Sequence, residues 1–134
     1  MSELETTELP IRSNEDIVVV RQSTRNWAVK IGFSLVDTTR IVTAASEIAR
    51  NTLEYGGGGT VRIESVTAAA KRGLRLVFED HGPGIADIAQ AMTDGFTTGH
   101  GLGLGLSGTK RLMHEFDLQS TPGTGTRITI TRWK

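Results

Sequence analysis

The sequence predicts an α+β two-layer sandwich, in which helices cover one face of a mixed, mostly antiparallel sheet. Residues 41–52 repeat small and apolar side chains at helical spacing, which indicates a helix with one buried face. Residues 61–64 and 74–80 alternate apolar with polar side chains, as half-buried strands do. Strand and helix patterns follow in the order β-α-α-β-β-α-β-β, which favours a single sheet.

The first half of the chain is predicted to contain a strand and two helices. Residues 8–12 form a possible short strand, and its proline suits a sheet edge. A helix follows Ser13 or Asn14, either of which can accept a first-turn N–H, and it stops at Gly32. The second helix extends over residues 34–55 and carries the amphipathic stripe.

The next part of the chain is predicted to form a β-hairpin, followed by a segment that covers a pocket. Residues 61–64 and 74–80 pair as antiparallel strands across a turn at residues 69–73. Residues 85–100 are small, polar and flanked by glycine, which suits a mobile cover over a pocket. One or two helical turns are possible within this cover, over residues 86–92.

The last part of the chain completes the sheet. A helix is predicted over residues 106–116, because apolar side chains recur along one side of it. A short strand begins at Leu118, residues 122–125 form a turn, and residues 127–131 form the closing strand.

Length and composition limit the function classes. The 134 residues suit one domain over residues 1–134, with a flexible segment at residues 1–7. The 15 basic side chains balance 15 acidic ones, so we expect no nucleic-acid partner. Without cysteine the chain has no disulfide and no thiol nucleophile. No stretch approaches the roughly 20 apolar residues of a membrane span, and the start of the chain is unlike a signal peptide. We therefore expect a cytoplasmic protein with no membrane partner.

A carboxylate and two glycine clusters indicate a nucleotide pocket. Asp80 ends a strand on the same side as three apolar residues, where a charge needs a polar partner. Gly82 and Gly84 then turn the chain. A second cluster, residues 101–105, opens a helix, and a helix N-terminus with glycines lets phosphate oxygens approach the backbone N–H groups.

Glu47 and Asn51 lie four residues apart on the second predicted helix, so their side chains stack one turn apart. Both flank the apolar stripe, where a core gives way to a cleft. A carboxylate beside an amide suits a general base, or a residue that orients water, next to a metal ligand. Spacing alone leaves open the alternative of an ordinary solvated helix edge.

Four segments, in order and spacing, resemble the N, G1, G2 and final Gly/Thr boxes of the GHKL ATPase superfamily, whose domain is the Bergerat fold. The resemblance extends from about residue 9 to residue 133. Any one segment is weak evidence, but four in order are strong. The segments are Glu47-Ile48-Ala49-Arg50-Asn51, Asp80-His81-Gly82-Pro83-Gly84, Gly101-Leu102-Gly103-Leu104-Gly105 and Gly123-Thr124-Gly125-Thr126.

Within that superfamily the chain resembles the small serine/threonine kinases of bacterial partner-switching systems, which include stressosome kinases and anti-sigma-factor kinases. The likeness rests on residues 16–18, 37–51, 94–98 and 110–116. Histidine kinases differ because they carry upstream dimerisation helices with a phosphoacceptor histidine, and we expect neither in this chain.

The resemblance implies a role for each matching residue. Glu47 matches the general base that takes a proton from the attacking hydroxyl. Asn51 matches the amide that binds ATP by holding Mg²⁺ against its phosphates. Asp80 matches the adenine reader, and Gly82 and Gly84 match the glycines that let the backbone bend under the base.

The resemblance also implies a phosphate-binding cluster and a hydroxyl beside the adenine, so the expected cofactors are ATP and Mg²⁺. Thr126 matches the hydroxyl, although an ordinary strand threonine after a turn explains it nearly as well. The cluster comprises Gly101, Leu102, Gly103, Leu104 and Gly105.

The function that the resemblance implies is phosphorylation of a serine or threonine on a STAS-domain antagonist or scaffold protein. The alternative is a binding module that sequesters a sigma factor or activates a phosphatase, with ATP tuning the interface. Both a monomer and a homodimer remain open.

Overall fold

The computed structural model describes residues 5–84 and 105–134. The helices and strands are β1 (Thr6–Ile11), α1 (Asn14–Ile31), α2 (Leu35–Glu54), β2 (Gly59–Ala68), β3 (Lys71–Asp80), α3 (Gly105–Leu112), β4 (Glu115–Thr121) and β5 (Gly125–Trp133). Their order along the chain is the predicted one. The expected cover at residues 85–100, with its possible helical turns, lies outside the described residues.

The five described strands form one sheet in the order β1-β2-β3-β5-β4. Every pairing between them is antiparallel, including the predicted β2–β3 hairpin. Because β5 inserts between β3 and β4, the strands that carry Asp80 and Thr126 become neighbours. The predicted α+β fold with a mostly antiparallel sheet is confirmed.

The core lies between the helices and one face of the sheet. Alternate residues of the central strands point into it, and Leu76 and Phe78 of β3 face Ile130 and Ile128 of β5 across the ladder. α1 shows only partial apolar periodicity because Thr24 takes a core position between Val20 and Ala28. Its hydroxyl is satisfied by donating to the Val20 carbonyl at 2.6 Å, so the helix can bury it.

The helix boundaries follow from local chemistry. Ser13 is the N-cap of α1 and its hydroxyl accepts from the Asp16 N–H, while Gly32 ends the helix with a φ of 103°. Ser34 caps α2 in the same way through the Asp37 N–H. Among the described helices, none is both long and apolar enough to cross a membrane.

Two boundary predictions are wrong. The helix expected to reach Phe116 ends at Leu112, and Phe116 pairs with Ile130 in the sheet. The spacing of the apolar residues between 112 and 118 fits both a helix and a strand. Pairing with β5 decides in favour of the strand. At the other end of the chain, Thr6 and Thr7 belong to β1 rather than to a flexible segment, and residues 1–4 lie outside the described part.

Arg132 joins the end of the sheet to two helices. Its Nη1 donates to the Leu112 carbonyl at the end of α3 at 2.8 Å, and its Nη2 pairs with Asp37 Oδ1 in the first turn of α2 at 3.0 Å. The arginine side chain is only 11% exposed, so this ion pair is better shielded than those at the surface. The contact therefore fixes α2, which carries the candidate catalytic residues, relative to β5.

His114 makes the stability of this corner depend on pH. Its Nδ1 accepts the Trp133 N–H at 2.8 Å, which requires an unprotonated nitrogen. Burial, followed by the positive charges of Arg132 and Lys71, lowers the pKa of His114, against the opposing effect of Asp37 and Glu115. The folded chain thus binds fewer protons than the unfolded chain below the ordinary histidine pKa.

We expect the free energy of unfolding to be highest above about pH 6.5 and to fall as the pH drops through that value toward the lower folded-state pKa. Urea unfolding across this range measures the effect. His114→Gln, whose amide oxygen can still accept from Trp133, should flatten that part of the profile. An unchanged slope in the variant would assign the pH dependence to other groups.

Candidate functional site

Glu47 lies on the buried side of α2 and is only 5% exposed. Among the described residues, no side chain hydrogen-bonds to its carboxylate or forms an ion pair with it. Glu47 is one of the residues that line a cleft of about 210 Å³ between α1 and α2. A carboxylate without a partner is costly to bury, which makes Glu47 a candidate functional residue.

Asn51 follows Glu47 by one turn of α2 and is half-buried. An amide oxygen is a suitable Mg²⁺ ligand. Within the described residues no group of three acidic, histidine or cysteine side chains could hold a metal by itself. Mg²⁺ is usually held by one or two protein ligands together with substrate phosphates.

Asp80 and Thr126 are directly opposite each other on β3 and β5. On each strand, alternate side chains point toward the helices, and Asp80 and Thr126 are the last residues of these two alternating sets. Both side chains therefore lie at the end of the core and are half-buried. Asp80 Oδ1 accepts the Gly82 N–H at 2.9 Å, which fixes the carboxylate beside the turn. A carboxylate and a hydroxyl at one edge of the sheet can accept hydrogen bonds from the N–H groups of a nucleotide base.

Three glycines permit close backbone approach around Asp80. A Cβ on Gly56, just after α2, would collide with the Asp80 side chain, and a Cβ on Gly82 would lie 2.7 Å from the Gly56 Cα. Gly125 has a φ of 140°, and a Cβ there would collide with the Asp80 carbonyl oxygen. The end of α2, the Asp80 turn and the start of β5 therefore meet at one point.

The turn that contains Gly82 and Gly84 is tied to the turn before β5. The Pro83 carbonyl accepts the Gly123 N–H at 2.7 Å, and Gly84 has a φ of 77°, which favours glycine. Of the predicted phosphate-binding cluster, Gly101, Leu102, Gly103 and Leu104 lie outside the described residues. Gly105 begins α3, which packs against α2.

Two contributors to the site were not predicted. A glycine directly after a helix is explained by the helix end alone, and the contact of Gly56 with Asp80 depends on a packing that no local pattern shows. Ser120 of β4 lies across from Thr126, with 2.8 Å between their hydroxyl oxygens. Phe116, Leu118 and Ser120 are alternate residues of one strand, so their side chains point to the same, helix-facing side. This alternation is the sequence feature from which the position of Ser120 could have been predicted.

A larger groove of about 610 Å³ lies on the sheet face away from the helices. Its charges largely neutralise one another, since Glu64 lies 3.0 Å from Arg62 and Glu79 lies 3.3 Å from Arg127. It contains none of the predicted site residues, so we assign no ligand to it.

Comparison with known structures supports the fold. The chain matches a Mycobacterium tuberculosis structure of RsbU and RsbW domains with a TM-score of 0.67 at 21% identity, over 99% of this chain and 33% of that longer chain. It matches the mycobacterial sensor histidine kinase MprB with a TM-score of 0.53 at 17% identity, over 98% of this chain and 97% of the other. Identities this low show the shared fold alone.

Sequence comparison identifies closer relatives. The chain is 51% identical to the serine/threonine-protein kinase RsbT of Bacillus subtilis over 123 residues, which is 92% of each chain. It is 31% identical to the anti-sigma F factor of Clostridium novyi over 106 residues, 74% of this chain and 73% of the relative. The prediction of a serine/threonine protein kinase of the partner-switching type is confirmed. Residues 36–134 match the model of the histidine kinase-, DNA gyrase B- and HSP90-like ATPases, and the chain belongs to that family.

Proposed function

We propose that this kinase transfers the γ-phosphate of ATP to a serine or threonine hydroxyl of a STAS-domain protein, with Glu47 as the general base. One observation carries the proposal: Glu47, whose side chain is 5% exposed and unpaired among the described residues, lines a cleft one helical turn from Asn51. A structural carboxylate in such a position would need a partner.

The transfer forms a bond between the acceptor hydroxyl oxygen and the γ-phosphorus. The bond between that phosphorus and the oxygen bridging to the β-phosphate breaks, and ADP leaves. Glu47 accepts the hydroxyl proton. Phosphoryl transfer needs positioning and charge neutralisation more than covalent assistance, which one base and a fixed phosphate site supply.

The remaining site residues would hold the nucleotide. Asn51 would hold Mg²⁺, which neutralises phosphate charge when bound. Asp80 would accept the exocyclic amine proton of adenine, with Thr126 beside the base and Gly82 and Gly84 beneath it. Glycine-rich backbone before α3 would contact the phosphates through Gly101, Leu102, Gly103, Leu104 and Gly105. Because ATP is the donor, we place the protein in the cytoplasm.

A second function is favoured by the anti-sigma factor relatives. The domain would sequester a sigma factor or activate a phosphatase, with ATP tuning the interface. This function and phosphate transfer are compatible, and either fits a monomer or a homodimer.

The test uses γ-labelled ATP, Mg²⁺ and a purified STAS-domain protein, with phosphoamino-acid analysis of the product. We expect phosphoserine or phosphothreonine, and Asn51→Ala should lower the rate by about 100-fold because the phosphates lose their charge-neutralising partner. Asn26→Ala, at an exposed position of α1, is the matched control and should behave as wild type. Wild-type protein that binds the partner but transfers no label would favour the second function and contradict the first.

A further inference from the structure

The cleft between α1 and α2 contains more than the proposed base. Two arginines of α1, Arg21 and Arg25, form one side of it. Arg50 of α2, three residues after Glu47, also lines it. Three positive side chains and one buried carboxylate thus line the same cleft, in a chain whose formal net charge is zero.

Among the residues that the structure describes, these arginines have no acidic partner, unlike several other arginines of the chain. Within the described residues, neither Arg21, Arg25 nor Arg50 forms a salt bridge or side-chain hydrogen bond. By contrast, Arg12 pairs with Asp16 at 3.0 Å and Arg62 pairs with Glu64 at 3.0 Å. No acidic side chain of the described residues therefore neutralises the positive charge in this cleft.

The α2 side of the cleft is lined by small hydroxyl side chains. Thr39, Thr43 and Ser46 follow one another along the helix at spacings of four and three residues, so they form a shallow strip that continues to Arg50, while Glu47 lines the same cleft from the side of the helix. A strip of this shape admits an extended segment between the arginines and α2. Its hydroxyls can hydrogen-bond to the backbone of that segment.

The strip continues into an exposed apolar region away from Glu47. Val36 lies one turn before Thr39 on α2 and is 59% exposed, and Leu35 beside it is 83% exposed. Val29, 63% exposed, lies one turn beyond Arg25 on α1. Exposed apolar side chains grouped at the end of a charged cleft are typical of a protein contact rather than of a small-molecule site.

We propose that the α1–α2 cleft binds an acidic segment of the protein substrate, and that Arg21 and Arg25 select it. The segment would place its serine or threonine hydroxyl at Glu47, with acidic side chains at the arginines and an apolar side chain near Leu35 and Val36. This inference rests on the proposed function, because it takes Glu47 as the base.

Two other anionic ligands fit less well. The nucleotide phosphates are assigned to Asn51 and the glycine-rich boxes, and Arg21 and Arg25 lie on a different helix. A nucleic acid would present a continuous row of phosphates, and the buried Glu47 carboxylate would repel it. An acidic peptide segment can instead place a neutral hydroxyl at Glu47 and its carboxylates further along.

The test measures binding of two fluorescein-labelled peptides by anisotropy, without nucleotide. One peptide carries a serine between glutamates and a leucine, and the other has lysines in place of the glutamates. We expect wild type to prefer the acidic peptide, with affinity falling as salt rises. Arg21→Glu/Arg25→Glu should weaken acidic-peptide binding by about tenfold or more and favour the basic peptide.

Lys71→Glu/Arg72→Glu makes the same charge change at exposed positions of β3 and is the matched control, which should keep wild-type preference. Arg21→Gln/Arg25→Gln provides a milder variant, and thermal unfolding checks that each variant is folded. Equal affinity of wild type for both peptides, or no detectable binding, would overturn the proposal. So would competition by a DNA oligonucleotide as strong as that by the acidic peptide.

ATP affinity separates this inference from the proposed function. Arg21→Glu/Arg25→Glu should bind ATP like wild type, and a loss of ATP affinity would assign the arginines to the phosphates and overturn the docking proposal. Peptide binding is measured without nucleotide, so its result does not depend on whether phosphate transfer occurs. A kinase assay that fails therefore contradicts the proposed function without changing the peptide result.

Discussion

Replacing Glu47 with glutamine is expected to slow phosphate transfer by about 10²- to 10⁴-fold, the usual contribution of a general base. Glutamine has nearly the same shape, so the packing of α2 and the position of Asn51 should persist. Only the ability to accept the hydroxyl proton is lost. Single-turnover transfer from labelled ATP to a STAS-domain protein measures the rate, and calorimetry measures nucleotide affinity, which should stay within about twofold of wild type.

Glu54→Gln is the matched control for this change. Glu54 lies on the same helix but is exposed, so its replacement should leave both rate and affinity unchanged. Transfer by Glu47→Gln at the wild-type rate would contradict the assignment of the base. A comparable fall in nucleotide affinity would instead show that Glu47 contributes to binding.

Stability distinguishes a catalytic from a structural role for the same residue. A buried carboxylate that lacks a partner destabilises the fold, whereas a neutral amide is cheaper to bury. Glu47→Gln should therefore unfold at the same or a higher denaturant concentration, with a gain of up to about 1 kcal/mol. If Glu47 instead stabilised the fold, Glu47→Gln would lower the free energy of unfolding.

The fold could be predicted well wherever local patterns carry enough information. Ser13, Gly32 and Ser34 mark helix ends through hydrogen bonds and backbone conformation that involve only nearby residues. The alternation that ends at Asp80 correctly predicted the face on which its side chain lies. Apolar residues between 112 and 118 fit both a helix and a strand, and only the distant partner strand β5 resolves the ambiguity.

The site was predicted less completely because its geometry depends on contacts between distant segments. Resemblance to the superfamily suggested Asp80 and Thr126, yet their direct opposition depends on β5 inserting beside β3. The arginines of α1 are ordinary surface residues by local pattern, and only helix packing brings them beside Glu47. Gly56 is the clearest case, since a glycine after a helix is usually explained by the helix end alone.

Gly56→Ala is expected to weaken ATP binding by about 10- to 100-fold, equivalent to losing one charge-assisted hydrogen bond. The new methyl group would overlap the Asp80 side chain, with its carboxylate Oδ2 only 2.6 Å away. Asp80 is held on its other side by the Gly82 N–H, so the carboxylate cannot move aside without breaking that bond. Either the carboxylate or the end of α2 must shift, and both changes spoil the proposed adenine contact.

Gly57→Ala separates this steric effect from the conformational cost of replacing glycine. Gly57 has a φ of 73°, but no atom lies within 4 Å of a Cβ built there. Alanine at that position should cost about 1 kcal/mol of stability and leave ATP affinity near wild type. Calorimetry with Mg-ATP and urea unfolding on both variants give the comparison. Wild-type affinity in a folded Gly56→Ala protein would contradict the assignment of Asp80 as the adenine reader, because that carboxylate cannot keep its position beside a methyl group.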